Sequence, residues 1–417
     1  MLREHPCDVV VIVGAYSSRP GGGGEFLPHI VQVTITAVGR HEFTVSIHEE
    51  GTALTFRQSV AVDTALERRL LALVGDLHRW SVGLGLTPSS ARTATEQLGR
   101  ALYRTFIGRR GAKVLAALQP TAILLDIDEA LLGLPWESMR AGASELALDV
   151  PFGRLVTTTT IPAPPRDPVT DDPLVKILAV INPTDDLAAT AAELAVLRRL
   201  AAGAARVEVH LDVLDGAAAT RRGFAAAVAG HDHDIVHFAG HANFDAGDPH
   251  ASALHLADGP LTAGAVKRLA WTSPPYLVVN SACQSARAAH GTQLVSPGGR
   301  ANGLPGAFLA AGCQAYVGHF WPVGDQAAAE FATCFYDTLF GQVNAGLAVL
   351  DARRAVRPRY DDAVDLAAFG AVFFGDVGSE QDRRDLAESV PPDADGDAPD
   401  ADPHSRPDER RDLAQAV

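Results

Sequence analysis

Lysine is nearly missing from this chain. Of 35 basic residues only Lys113, Lys176 and Lys267 are lysine, and 50 acids outnumber the bases, for a net charge of −15. A protein that tracks a phosphate backbone presents a basic face, so nucleic acid is not an expected partner. Charged residues make up 20% of the chain, short of the ~25% usual in soluble domains. Cysteine is scarce too. Cys7, Cys283, Cys313 and Cys334 are too few for a disulfide framework in 417 residues, so each is either a core filler or a reactive thiol. No apolar run approaches the ~18–20 residues that a membrane helix requires. The opening Met1-Leu2-Arg3-Glu4-His5 lacks the basic-then-apolar order of a secretion signal. These absences lead to the expectation of a cytoplasmic protein with no membrane partner.

What is present suffices for a large core: 47% of residues are hydrophobic, and the length suits two or three domains. Residues 1–94 read as a small β-rich module plus a helix, of unknown role. Val9–Val13 is an apolar run of buried-strand type, followed by a glycine-rich loop at 17–24 that lacks the Gly-Lys-Ser/Thr of a phosphate cradle. Val31, Val33 and Ile35, then Phe43, Val45 and Ile47, alternate with polar residues as half-buried strands do. Leu66, Leu70, Leu73, Val74 and Leu77 recur at helical spacing.

From residue 95 the pattern changes. Leu98, Leu102 and Phe106 mark a helix, Ala122–Leu125 a strand, and the prolines around 161–165 a linker. Strands at 176–181, 207–213, 235–238, 276–280, 315–320 and 369–374 then alternate with helices at 188–200, 221–229, 306–311, 326–340 and 345–355. That alternation predicts an α/β fold with a mostly parallel sheet flanked by helices. Residues 379–417 hold twelve acids and five arginines, about half of the net charge. With so little to bury, they are expected to be a disordered acidic tail beginning near 377.

Open α/β sheets carry their sites at the carboxyl ends of strands. Two such ends stand out: His237-Phe238-Ala239-Gly240-His241-Ala242 and Asn280-Ser281-Ala282-Cys283. A histidine and a cysteine thus follow neighbouring strands, 42 positions apart, with His before Cys. A thiol attacks as the thiolate, and a nearby imidazole can take its proton. Four histidines, His231, His233, His237 and His241, raise a metal-dependent hydrolase as an alternative. The spacing does not match His-x-His-x-Asp-His, because Asp234 follows His233 directly and Ile235-Val236 intervene before His237.

The ordered motifs resemble the CHAT domain, a caspase- and separase-like cysteine peptidase family. They are Leu134-Pro135-Trp136-Glu137, Asp234 to His241, Leu261-Thr262 after the Asp258-Gly259 turn, Ser281-Ala282-Cys283, Gly303 to Gly312, Trp321-Pro322-Val323 with Asp325, and Phe335-Tyr336. The resemblance covers about residues 95–376. It implies a caspase-like fold with a non-catalytic front half at 95–165 and a catalytic half at 173–376. It further implies His241 as general base, Cys283 as nucleophile, and backbone N–H groups of Cys283 and Ala242 as the oxyanion site. Ala242 stands where the family usually has glycine. Asp325 matches an acid that binds a basic residue ahead of the scissile bond, while His237 and Gly240 support the site. No metal or cofactor is implied. A protein or peptide substrate is, with an activating or regulatory protein partner and a bacterial regulatory or defence role. A caspase-like interaction scaffold without activity is the other reading.

Overall fold

The computed structural model describes residues 29–158, 160–166, 174–204, 207–245, 247–287, 303–342, 344–357 and 366–377. Val9–Val13, the loop at 17–24, Cys7 and the acidic tail lie outside them. Three antiparallel strands come first: β1 (Ile30–Ala37), β2 (Glu42–Glu49) and β3 (Thr55–Ala61). The alternating Val31, Val33, Ile35 and Phe43, Val45, Ile47 are all buried. Helices α1 (Thr64–Ser81) and α2 (Pro88–Leu102) cover that face. Each has a side-chain cap on an otherwise unpaired N–H: Asp63 accepts from Leu66 in α1, and Thr87 from Ser90 in α2 with proline next.

The helix expected through Phe106 instead widens into a π-helical turn at Tyr103–Ile107 before α3 (Gly108–Leu118). The Gln58 side chain on β3 donates to the Phe106 and Ile107 carbonyls that the turn leaves open.

β4 (Ala122–Asp128) then pairs in parallel with β1. A short hairpin, β5 (Arg140–Ala141) and β6 (Ser144–Glu145), leads through α4 (Leu146–Asp149) to β7 (Phe152–Thr157). The Leu134-Pro135-Trp136-Glu137 motif is the bolt here. Trp136 packs edge-on against Phe106 and donates to the Leu131 carbonyl at 3.0 Å. Glu137 is fully buried and accepts two hydrogen bonds from the equally buried Arg154 of β7, one of them 2.8 Å. Such a pair costs its own desolvation, but removing one member leaves an uncompensated charge.

The rest alternates: β8 (Leu174–Ile181), α5 (Thr190–Arg199), β9 (Glu208–Asp215), α6 (Arg221–Gly230), β10 (Ile235–Ala239), a small antiparallel sheet of β11 (Ala242–Asn243), β12 (Ala253–Leu256) and β13 (Gly259–Thr262), then α7 (Ala263–Val266), β14 (Leu277–Asn280), α8 (Gly303–Ala310), β15 (Ala315–His319), α9 (Asp325–Gln342), α10 (Ala345–Val356), α11 (Leu366–Gly370) and β16 (Ala371–Phe374). The last strand is shorter than its apolar run, because Phe369 lies within α11, which ends at Gly370 just before it.

One sheet of eleven strands results, in the order β3-β2-β1-β4-β7-β16-β15-β14-β10-β8-β9. It holds two parallel blocks. β1, β4, β7 and β16 run one way; β15, β14, β10, β8 and β9 run the other, joined where β15 meets β16 antiparallel. Alternate residues feed two apolar cores: Val236, Phe238 and Val278 on the face of α1, α2, α6 and α8, and Ile235, Leu277 and Val279 on that of α5, α9 and α10. Among the described residues no helix is long and apolar enough to cross a membrane.

Candidate active site

Sequence order within the second block reverses around β8: β9 lies on one side, and β10, β14 and β15 on the other. The crevice between the carboxyl ends of β8 and β10 is therefore a topological switch point, where open α/β sheets bind ligands. Register fixes what stands there. Phe238 of β10 pairs with Asn280 of β14, so His241 and Cys283 each follow a matched position by three residues on one rim.

The loop after β8 delivers an acid to the same crevice. Asn182 and Asp185 both have positive φ, 44° and 56°. The Asn182 side chain accepts from the N–H groups of Asp186 and Leu187 at 3.1 and 3.0 Å, and its own N–H reaches the Ala239 carbonyl of β10. Asp186 is thereby held beside His241, whose Nε2 lies 3.0 and 3.1 Å from the two carboxylate oxygens. The Thr184 hydroxyl, and after it the His241 ring, hold the Asp186 carboxyl below its ordinary pKa. With the carboxylate accepting from Nε2–H, the lone pair falls on Nδ1. Among the described residues no hydrogen bond joins His241 to Cys283; the ring's partner is Asp186.

Cys283 is half-buried, and its thiol donates to the Val323 carbonyl at 3.5 Å. Burial pushes the thiol pKa up and the nearby Asp325 charge adds to this, while the Val323 contact works against them. Gln284, the next residue, is left-handed at φ 55°, an uncommon state for a residue with a Cβ. Buried hydrogen bonds hold the turn: Ser285 Oγ donates to the Asn280 carbonyl at 2.9 Å, the His319 N–H donates to Ser285 Oγ at 2.9 Å, and Tyr316 OH donates to the Ser285 carbonyl at 2.8 Å. Gly318 makes this close approach feasible, since a Cβ there would stand 2.8 Å from Ser285 Oγ.

The His255 N–H donates to the His241 carbonyl, which makes Ala242 and Leu254 a non-hydrogen-bonded pair of the β11–β12 ladder. The Ala242 N–H accordingly points away from β12. Gly240 is a close-approach glycine, since a Cβ would meet the Phe238 ring at 2.9 Å and Pro183 at 3.0 Å.

Asp325 is the first residue of α9, with the Ala328 N–H bonded to the Gly324 carbonyl before it, and its side chain is exposed. His237 lies inside: Tyr336 OH is 3.0 Å from its Nδ1, and Glu193 of α5 is 3.3 Å from its Nε2. The histidine cluster is dispersed by the strand that runs through it. His233 pairs with Asp212 at 2.9 Å near the start of β10, and His231 packs beside it, whereas His241 lies past the strand's other end. Among the described residues no three His, Cys, Asp or Glu side chains are placed to hold a metal ion. Cys313 is buried, which raises its pKa; burial also raises that of Cys334.

Sequence reasoning missed Asp186. Its signal, a second aspartate after an Asn-Pro strand end, is visible only once β8 is known to neighbour β10.

No curated protein is significantly similar to the chain. Among solved structures, two of the Saccharomyces cerevisiae separase–securin complex match with TM-scores of 0.54 and 0.52, both at 11% identity, covering 84% and 83% of this chain and 30% of that one. A complex of Porphyromonas gingivalis RgpB pro- and mature domains matches at 0.40 and 11% identity, covering 75% of this chain and 77% of that one. The chain thus spans under a third of the length of the separase chains, and that likeness concerns the caspase-like fold. The family model described as CHAT domain matches residues 96–403. With that match over most of its length, and with the separase-like fold around the two strand ends, the chain belongs to the CHAT domain family.

Proposed function

We propose that this protein is a cysteine endopeptidase in which Cys283 is the nucleophile and His241 the general base. The observation that carries the reading is that the paired strands β10 and β14 end in register, with His241 and Cys283 each three residues past the matched pair and a carboxylate, Asp186, already fixing one nitrogen of the ring. Burial keeps the Cys283 thiol protonated at rest, so proton transfer to Nδ1 of His241 accompanies attack on the scissile carbonyl. The new S–C bond drives the carbonyl oxygen to an oxyanion, which the N–H groups of Cys283 and Ala242 receive. Collapse expels the amine, which takes the proton from His241, and water then releases the acid from the thioester. Asp186 holds the ring and stabilises the imidazolium as charge develops. Asp325, at the first turn of α9 beside Cys283, favours arginine or lysine ahead of the scissile bond. The separase structures were solved as complexes with securin; a protein partner is proposed here as well.

A second reading, an interaction scaffold without catalysis, draws on the absence of a His241–Cys283 hydrogen bond among the described residues and on the raised thiol pKa. A positional peptide library with wild type, Cys283→Ala and Cys313→Ala separates the two. Cleavage lost only in Cys283→Ala supports the peptidase. Cleavage unchanged in Cys283→Ala would sink it, and no cleavage by any form favours the scaffold.

A further inference from the structure

Arg287 lies four residues past Cys283, at the far end of the strained turn. Its backbone N–H closes the turn on the Gln284 carbonyl at 3.1 Å, and its Nη1 donates to the Gln284 side-chain oxygen at 2.8 Å. The same Nη1 lies 3.0 and 3.1 Å from the two ring nitrogens of His78, in the last turn of α1 and 209 positions earlier. The guanidinium also stands 5.6 Å from the centroid of the Phe244 ring, one residue beyond the strand that begins at Ala242, next to His241. Three parts of the molecule therefore converge on one cation: the turn of Cys283, the strand after His241, and the N-terminal helix.

The chemistry suits arginine. Nη1 is almost equidistant from both ring nitrogens, so it lies over the face of the His78 imidazole and not along one nitrogen's lone pair, and the Phe244 ring offers its face to the same cation. A planar fork can bond and stack at once, as an ammonium cannot. Burial draws the Arg287 pKa down to about 10, which leaves it charged at neutral pH. A left-handed Gln284 is costly and persists only where its surroundings over-determine it; Arg287 supplies two of those constraints.

We propose that Arg287 is a positioning residue that ties α1, through His78, to the catalytic turn, through Gln284, and to the strand after His241, through Phe244. The proposal rests on the reading of Cys283 as nucleophile. It gives a role to α1, which lies outside the stretch that the family model matches: α1 braces the turn from which the thiol attacks.

The test uses the full chain with Arg287→Ala, Arg287→Lys, His78→Ala and Cys283→Ala. Two quantities are measured: kcat and KM on a cleaved peptide, and the pH dependence of iodoacetamide alkylation at Cys283, resolved by mass spectrometry with buried Cys313 as internal control. Arg287→Ala is expected to lower kcat about tenfold or more at nearly constant KM, since small displacements of a reacting group cost up to ~10²-fold. In the same variant Cys283 should alkylate faster, with its midpoint moved down towards an ordinary thiol, because a relaxed turn uncovers the sulfur. Cys313 should not change. His78→Ala should move both readouts the same way, and Arg287→Lys should fall between. Unchanged kcat and unchanged Cys283 alkylation in Arg287→Ala overturn the proposal. So does an effect of Arg287→Ala that His78→Ala lacks, or one in which Cys313 accelerates alongside Cys283, which marks general loosening. Should Cys283→Ala cleave like wild type, the nucleophile reading fails by itself, and the alkylation arm still decides whether Arg287 and His78 set the turn.

Discussion

Asp186 and Asp325 stand beside the proposed base His241 and the proposed nucleophile Cys283 with opposite consequences. Asp186 bonds the His241 ring and holds its own charge to lower pH than an ordinary carboxylate does. Asp186→Asn keeps the shape but offers a neutral partner that no longer compensates an imidazolium. It should lower kcat by roughly 10²-fold or more, as uncoupling such an orienting acid does elsewhere, with KM little changed; steady-state kinetics on one peptide checks this. Asp325 instead raises the Cys283 pKa. Removing its charge should therefore shift the alkylation midpoint of Cys283 down, so that at a fixed pH below that midpoint more thiolate is present and iodoacetamide reacts faster. Cleavage after arginine should fall, on the order of tenfold, or about 1.4 kcal/mol, and cleavage after leucine should not. The exposure of Asp325 argues against a larger loss, because solvent screens it in the free enzyme. Matched Arg and Leu peptides with Asp325→Ala measure this; a fall for both peptides alike would remove Asp325 from specificity. The placement of His241 and Cys283 just past two strand ends is legible in the sequence because each follows a short apolar run. Asp186 is not, because its partner is 55 positions away and nothing local distinguishes it from Asp185.

Elements could be read where burial is periodic and could not where it is absent. β1 and β2 announce themselves by alternation, and β10, β14 and β15 by short apolar runs buried on both faces. β3, an edge strand, buries no residue fully; its inward positions Phe56, Gln58 and Val60 are only half-buried and one of them is polar, so its alternation is weak. β7 hides its signal behind Gly153 and Arg154, a charge made tolerable in a core by the distant Glu137 and the Leu134 carbonyl. The π-helical turn at Tyr103–Ile107 depends on Gln58 of β3 and has no local mark either. The buried pair yields a prediction at this scale. Arg154→Met strands the Glu137 carboxylate, and breaking a buried pair from one side costs about 3–5 kcal/mol. The double change Arg154→Met with Glu137→Gln should recover much of that. Thermal unfolding of wild type and the two variants tests it, and equal melting temperatures for the single variant and wild type would show that the pair contributes nothing.

At the scale of the molecule, the family match begins at residue 96, yet the sheet does not. β1 pairs with β4 through six consecutive positions, from Ile30↔Ala122 to Ile35↔Ile127. Leu70, Val74 and Leu77 of α1 share one apolar core with Phe106, Ile123, Leu125 and Trp136. A chain starting at residue 96 would lose three strands and α1, uncover the β4 edge, and expose that core face to water. An open, apolar strand edge is a template for association, and each large aliphatic side chain left exposed forfeits about 1.5–3 kcal/mol. Several such side chains together exceed the 5–15 kcal/mol by which a domain is stable. The chain from 96 onward should therefore aggregate or lack a cooperative melt, whereas the full chain should melt cooperatively. Size-exclusion chromatography with thermal melts of both separates the cases. A monomeric fragment from 96 with a sharp transition would mean that β1–β3 and α1 dock on a core complete without them, and the bracing of the Cys283 turn by His78 would then have to be judged by the Arg287 variants alone.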